Sequence, residues 1–599
     1  MPKGSAVVSG FSDRRPERTA RILRIRKYAV PRWMIERSAE RRRAGDWRGA
    51  CAAADMDVEV DLAQVRNRYG AELAAQVEDD LHHLVPDLVR WHAPRVGPAG
   101  TTLTPGQAIV LNDYGLRGED APRLYVTPHV WLFNASQRMT LRFGPISLRD
   151  APHICTDYVY VRFWRGLVQP WVAARHLWDD RHTAELRERC GGDAERMPFL
   201  NPDGTPRPEA DLPGSDPGPA DPAGHAEWVT MLHERGEVEA AFAAAGIELV
   251  PPGPESAKYR EHYRIGPYDQ LARMPLALTR LEPEMRRLGG GRFQIPWTQH
   301  SAVLFEHDGD RRLRATVVEF ETYRDGVPEL EELHRAEVLA EAVWGRLPDL
   351  GALREGRLPP EWLHPLVHDA LFPGREPRTD RADLPSGPPE PRLPESVRVR
   401  CQGEWHQVRF EDGVLAIPHS AEEQEREEAM EALGGAVGGC FAVRRAWRTG
   451  EGRLPRALRE LRREIFDRAH HGDTAGLERL LDLGVDPHVR DTDGCTLLHV
   501  LHLVDHERLL PRLLKAGLDL EATQEGTQGD KRTPLHRAIQ MDGPEELIRA
   551  LVDAGARIDL LDEDDETTIP ALIDRARRGD LEWLEDRIVE EYPDLTRYF

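Results

Sequence analysis

CTLLHVLHLVDHERLLPRLLKAG (residues 495–517) and RTPLHRAIQMDGPEELIRALVDAG (residues 532–555) run through the same order of signals, and their reading decides the fold of the C-terminal part of the chain. Thr496-Leu497-Leu498-His499 recurs as Thr533-Pro534-Leu535-His536, and each tetrapeptide leads into an amphipathic segment ending in Leu-Leu-Lys-Ala-Gly or Leu-Val-Asp-Ala-Gly. Gly484, Gly517 and Gly555 close successive units, 33 and then 38 residues apart. Self-similarity at this period marks an array of supersecondary units, none of which can bury its apolar face alone. The local chemistry points the same way. The Thr533 hydroxyl can cap a helix, Pro534 suits a first helical turn where its missing N–H costs nothing, and a terminal glycine permits the left-handed conformation at a helix end.

This pattern resembles the ankyrin-repeat family, whose period is 33 residues and in which a TPLH-type turn opens the first of two antiparallel helices and a glycine ends the second. The resemblance covers about 461–588. It places a first unit at 466–487, with His471-Gly472-Asp473 at the turn between helices, and a fourth, degenerate unit after Thr568, with Arg578-Gly579-Asp580 at its turn. Three departures stand out: Thr496-Leu497 lacks the proline, residues 524–530 are an insertion, and Thr568-Ile569-Pro570-Ala571 displaces the proline, as a terminal cap would. The resemblance implies a C-terminal α-helical solenoid of about three to four repeats that binds a protein partner on the face lined by turns and first helices. It also implies that His499 and His536 satisfy neighbouring backbone groups and are not ligands. Over its whole length the chain is more loosely similar to large actinobacterial ankyrin-repeat proteins whose leading regions carry no obvious enzyme signature.

Working outward, 599 residues exceed what one core can hold, so an α+β protein of about three or four domains is expected. Residues 1–27 read as a basic, flexible arm and 28–93 as helices, since Trp33, Ile35 and Ala39 precede a turn at Ala44-Gly45-Asp46 and Trp47, Ala50, Cys51 and Ala54 follow at helical spacing. Residues 101–372 read as a mixed α+β domain. Its strands are predicted at 123–126, 129–133, 139–143 and 157–164, and a hairpin turns at Asp308-Gly309 between strands at 302–305 and 313–320. The Pro-, Gly- and Asp-rich residues 200–224 are predicted to be a flexible insert. Residues 373–395 read as a Pro-rich linker, 396–460 as a small β-meander turning at Gln402-Gly403 and Asp412-Gly413 with a charged helix behind it, and 461–599 as the repeats with their degenerate cap.

Net charge is −23 and unevenly spread: roughly 18 basic against 32 acidic side chains from residue 461 onward, and about 14 against 5 in the first 48. Nucleic-acid binding by the whole chain is disfavoured, because phosphates would meet a repulsive field. No apolar run approaches the roughly 20 residues of a membrane span, and arginines stand where a secretion signal needs an apolar region, so a cytoplasmic protein is expected. The six cysteines, Cys51, Cys155, Cys190, Cys401, Cys440 and Cys495, include no CxxC pair and read as buried thiols.

Several clusters invite a chemical role and have a plainer reading. His176, Asp179, Asp180 and His182 are metal-capable but lack the spacing of a zinc motif. His82, His83 and His92 are interrupted by Pro86. The Gly-rich segments 289–291 and 434–439 are not followed by Lys-Ser/Thr and read as turns. Glu306, Glu319 and Glu321 flank the hairpin as exposed strand glutamates do. Tyr158, Tyr160 and Trp164 with Arg162 read as core anchors, not a base-stacking platform, and the acidic run 562–566 reads as a solvated loop. No catalytic, cofactor or metal residues are therefore expected. The sequence supports an intracellular adaptor that binds a protein partner through its repeats. The competing reading is a hydrolase- or nuclease-like enzyme or effector with its site in 101–372 and the repeats as targeting module, and self-assembly through the repeats is a third.

Overall fold

The computed structural model describes residues 15–96, 101–104, 107–118, 120–128, 137–146, 168–251, 267–298, 301–307, 312–319, 336–375, 390–433, 435, 437–525, 531–561, 568–576, 578–593 and 595. The chain mixes helix and strand. It forms two compact units, one of residues 1–133 and 138–387 and the other of residues 134–137 and 388–599, the main boundary falling within the Pro-rich run. Among the described residues no helix is long and apolar enough to cross a membrane.

In the first unit, alternation of apolar and polar residues builds two five-stranded sheets. One contains β1 (Met56–Val58), β2 (Ala108–Asn112), β3 (Arg123–Pro128), β4 (Met139–Gly144) and β5 (Val168–Pro170), in the order β1-β4-β3-β2-β5. Leu124 and Val126 of β3 alternate with half-buried neighbours, so one face lies in the core. The pairs β2/β3 and β3/β4 are antiparallel, while the flanking β1/β4 and β2/β5 pairs are parallel. The other sheet contains β6 (Ile247–Val250), β7 (Arg292–Thr298), β8 (Ser301–His307), β9 (Leu313–Glu319) and β10 (Glu337–Val338), in the order β10-β7-β8-β9-β6. The hairpin strands pair antiparallel from Ser301↔Glu319 to His307↔Leu313. The turn Asp308-Gly309 and the strands expected at 129–133 and 157–164 lie outside the described residues.

Helices cover 32–43, 47–53, 62–69, 71–83 and 86–92, where helical spacing is read in the sequence, with the short β1 among them. Their apolar faces share one hydrophobic cluster with both sheets, from Ile22 to Phe372. Two expectations need correction. Residues 15–27, read as part of a flexible arm, instead form a helix at Arg15–Arg24 followed by a π-turn, and Ile22, Ile25 and Arg26 are buried. Apolar burial and an ion pair fasten it: Ile22, Ile25 and Ala29 join the hydrophobic cluster, and the Arg26 guanidinium meets both carboxylate oxygens of buried Asp349 at 2.8 and 2.6 Å and lies 3.6 Å over the Trp91 ring. Residues 200–224, read as a flexible insert, are irregular but fastened. Arg207 reaches the fully buried Glu227, and Gly204 approaches Phe372 so closely that a Cβ there would sit 3.0 Å from its ring.

The second unit begins with a three-stranded antiparallel meander, β11 (Val397–Cys401), β12 (Glu404–Glu411) and β13 (Val414–Ala416). Its two-residue turns fall at Gln402-Gly403 and Asp412-Gly413, and all four residues have positive φ, the signature of type I′ hairpins. Helices α1 (Ala421–Ala432) and α2 (Gly439–Thr449) follow. Among the described residues there follow α3 (Arg456–His470), α4 (Thr474–Asp482), a 3-10 helix at Leu497–Leu503, α5 (His506–Lys515), α6 (Pro534–Gln540), α7 (Glu545–Asp553), α8 (Ile569–Ala576) and α9 (Glu582–Glu591). The one first helix wound as 3-10 is the one that opens on Leu497, where its counterpart α6 has Pro534. Gly484, Gly517 and Gly555 adopt φ of 86°, 84° and 101°, the left-handed conformation that ends each second helix. Apolar residues from Val397 to Ile588 form one cluster.

Candidate functional site

The recurring tetrapeptides build the same hydrogen-bonded corner twice. Thr496 caps its helix: its hydroxyl accepts from the Leu498 N–H at 3.2 Å and lies 2.9 Å from His499 Nδ1, which accepts the Thr496 N–H at 3.1 Å. Because Nδ1 accepts a backbone N–H, the ring proton resides on Nε2. That atom donates across the repeat to the Arg532 carbonyl at 3.1 Å. Thr533 and His536 repeat the arrangement, with Nδ1 2.7 Å from the Thr533 hydroxyl and Nε2 3.2 Å from the Leu560 carbonyl. Both rings are buried. Burial drives the His499 pKa down to about 3 against the opposing pull of the Arg532 carbonyl, so the ring is neutral. Pro534 and Leu535 are buried beside this corner. At Thr568-Ile569-Pro570-Ala571 an alanine stands where the other two tetrapeptides have histidine, and the Thr568 hydroxyl still accepts the Ala571 N–H at 3.3 Å.

Among the described residues, the acidic members of the clusters singled out in the first unit are held in ion pairs. Asp179 accepts from Arg175 and Arg181, Asp180 is bonded to Arg42 and His83, and His182 faces Glu185 at 2.8 Å. His176 is buried elsewhere in the core, where burial pushes its pKa far down. Asp179 and Asp180 instead lie with His83, their ligand atoms within 4.8 Å of one another, beneath guanidinium groups that already balance the carboxylates. Beside them lies an open cleft of about 650 Å³ lined by Glu72, Asp79, Asp80, Asn112, Arg175 and Arg181, with Asp79 and Asp80 paired with the arginines. Glu306 pairs with Arg292 at 2.7 Å. It stands opposite Arg314, five positions along the ladder from the Ser301↔Glu319 pair, so Glu306 and Glu319 are separated by about 17 Å. Gly289, Gly290 and Gly291 turn a helix into β7, the reverse of the strand-to-helix order of a phosphate cradle. Glu321, Tyr158, Tyr160, Arg162, Trp164 and the acidic run 562–566 lie outside the described residues.

One constellation escaped the sequence reading. Cys401, His406, His419 and Cys440 offer four ligand atoms that all lie within 4.8 Å of one another. Cys401 Sγ is 3.6 Å from His419 Nε2, His419 Nε2 is 3.2 Å from His406 Nδ1, and His406 Nδ1 is 3.6 Å from Cys440 Sγ. Both cysteines are buried and neither is in a disulfide. Burial and the neighbouring Cys401 sulfur push the Cys440 thiol well above its ordinary pKa. Both thiols are buried, as read in the sequence, and the structure adds that they lie together with two imidazoles. The spacing, with 4, 12 and 20 residues between successive members, resembles no closely spaced pair motif. The signal lay in the hairpin. Register pairs Val399 with His406, and Cys401 shares Val399's face, so a Gln402-Gly403 turn already implies that Cys401 and His406 are diagonal neighbours.

The family model for ankyrin repeats matches residues 466–562 in three copies. No curated protein matches the chain.

Proposed function

Since residues 466–562 are three ankyrin repeats, we propose that the C-terminal region is a protein-binding surface and that the chain works as an intracellular adaptor. The observation that carries this reading is the paired corner. His499 and His536 each tie one unit to the backbone that follows it, through Arg532 and Leu560, and so fix successive units in a constant relation. Repeated helix pairs joined this way form a solenoid, with α8 and α9 as its cap, and the face lined by its turns and first helices is the surface offered to a partner. An acidic surplus over the same residues favours a partner with a basic face and raises its rate of encounter. The first unit then serves to hold or deliver a second client.

The test is an affinity capture from the native cytosol with the full chain and with a chain ending at Pro394, followed by binding measurements on the purified partner. A partner that binds the full chain, weakens as salt is raised and is lost with the repeats supports the adaptor. If no interaction depends on residues beyond Pro394, the reading fails and an activity in 101–372 takes its place.

A further inference from the structure

The four side chains Cys401, His406, His419 and Cys440 come from four different places: the end of β11, the middle of β12, the loop before α1 and the first turn of α2. The hairpin register brings Cys401 beside His406, but nothing local obliges His419 and Cys440 to join them, yet all four ligand atoms converge. A tetrahedral zinc ion bound at about 2.3 Å by sulfur and about 2.0–2.1 Å by nitrogen requires ligand–ligand edges of about 3.3 Å between nitrogens and about 3.6 Å between sulfur and nitrogen. The observed edges are 3.2 Å for His406 to His419 and 3.6 Å for both sulfur–nitrogen contacts. His419 Nε2 faces a sulfur and another ring nitrogen at once, as does His406 Nδ1, and a single ring proton cannot serve both contacts.

The surroundings fit a metal centre as well as the ligands do. The other nitrogen of His419, Nδ1, lies 3.6 Å from the Glu423 carboxylate, longer than a hydrogen bond, and that carboxylate accepts the Ser420 N–H at 2.9 Å, so the ring has beside it the kind of group that, closed to hydrogen-bond distance, orients metal-bound imidazoles. Gly439 adopts φ of 58°, and a Cβ there would stand 2.4 Å from Cys401 Sγ, so only glycine lets the start of α2 bring Cys440 beside that sulfur.

We propose that Cys401, His406, His419 and Cys440 bind one Zn²⁺ ion in a closed, structural, tetrahedral site that fastens β11, β12, α1 and α2 into one module. Two thiolates and two imidazoles select a borderline-soft ion over Mg²⁺ or Ca²⁺, and four protein ligands leave no position for substrate, so the site stabilises and does not catalyse. Binding releases the two thiol protons and leaves both imidazoles neutral. This inference is independent of partner binding by the repeats.

The experiment uses the full chain, incubated with Zn²⁺ under reducing conditions, desalted and analysed by elemental mass spectrometry, with Co²⁺ exchanged into a parallel sample. One zinc per chain is expected, along with thiolate-to-cobalt charge-transfer bands and the visible bands of tetrahedral Co²⁺. The C401S/C440S variant should lose the zinc. Glu423→Gln should keep it but yield it to a chelator about 10–100-fold more readily. A full chain that retains no zinc and shows no cobalt bands overturns the proposal, as does zinc retained undiminished by C401S/C440S. The cobalt spectrum of the unaltered chain decides the matter even if that variant does not fold.

Discussion

The two units solve the problem of buried polar groups in opposite ways. In the first, the decisive contacts join residues far apart in sequence. Arg26 bonds to Asp349, 323 positions away, and Asp87 accepts from Ser38 at 2.7 Å and faces His364 at 2.8 Å. In the repeats the corresponding contacts are shorter in range, each reaching about one unit along the chain: His499 to Arg532 spans 33 positions, His536 to Leu560 spans 24, and the surface pairs of Arg508 with Glu478 and Arg512 with Asp482 each span 30. A periodic array confines each contact to neighbouring units and can fold by propagation, whereas the first unit must close long loops before its ion pairs form. The difference predicts where a single substitution does most damage.

The largest effect is expected at Asp349. Its carboxylate accepts from both Arg26 nitrogens and from the Trp91 indole at 3.2 Å, and the side chains of Arg26 and Asp349 are 4% and 0% exposed. Asp349→Ala leaves a buried guanidinium without its counter-charge, a loss of about 3–5 kcal/mol. Urea unfolding followed by tryptophan fluorescence measures it, since Trp91 belongs to the cluster. A loss below about 1 kcal/mol would mean that water reaches Arg26 and that the long-range pair is not what holds the N-terminal helix.

A smaller, pH-dependent effect is expected in the repeats. The folded-state pKa of His499 is lowered to about 3 from an ordinary value of 6.5. Between those values the unfolded chain binds more protons than the folded one, so stability is fully present above pH 6.5 and declines as the pH falls towards 3, by up to about 1.4 kcal/mol per pH unit for this group. His470, lowered to about 4 by burial, acts in the same direction. Glutamine in place of His499 can still reach back to the N-cap N–H but does not titrate. His499→Gln should therefore unfold more easily at pH 7 and respond less steeply to acid in thermal melts followed by circular dichroism. Equal slopes for the variant and the unaltered chain would show that the ring is not held neutral by the fold.

The same contrast explains what could be read in the sequence. The repeats were legible because each signal, Thr533-Pro534, Gly517 or Gly555, acts within a few residues of itself, and the two type I′ turns of the meander were legible for the same reason. Arg26 reads as part of a loose basic arm because its partner is Asp349, and no local pattern announces that pairing. The cluster of Cys401, His406, His419 and Cys440 lies between these cases. One half follows from the register of a hairpin already visible in the sequence, while the other half depends on how the loop at His419 and the first turn of α2 return to it.

The smallest effect is expected on the surface of the repeats, and it sharpens the contrast because the geometry there looks favourable. Arg508 meets both oxygens of Glu478 in the preceding unit, one of them at 3.1 Å, yet its side chain is 51% exposed. In water the attraction is screened and two long side chains must be held in one arrangement, so such pairs contribute less than about 1 kcal/mol. Arg508→Ala should shift the thermal midpoint of the full chain far less than either substitution above, and the shift should vanish at high salt, where the pair is screened in the unaltered chain as well. A salt-independent loss of the size expected for Asp349→Ala would mean that the Arg508 side chain holds the repeats together by packing and not through a screened charge pair.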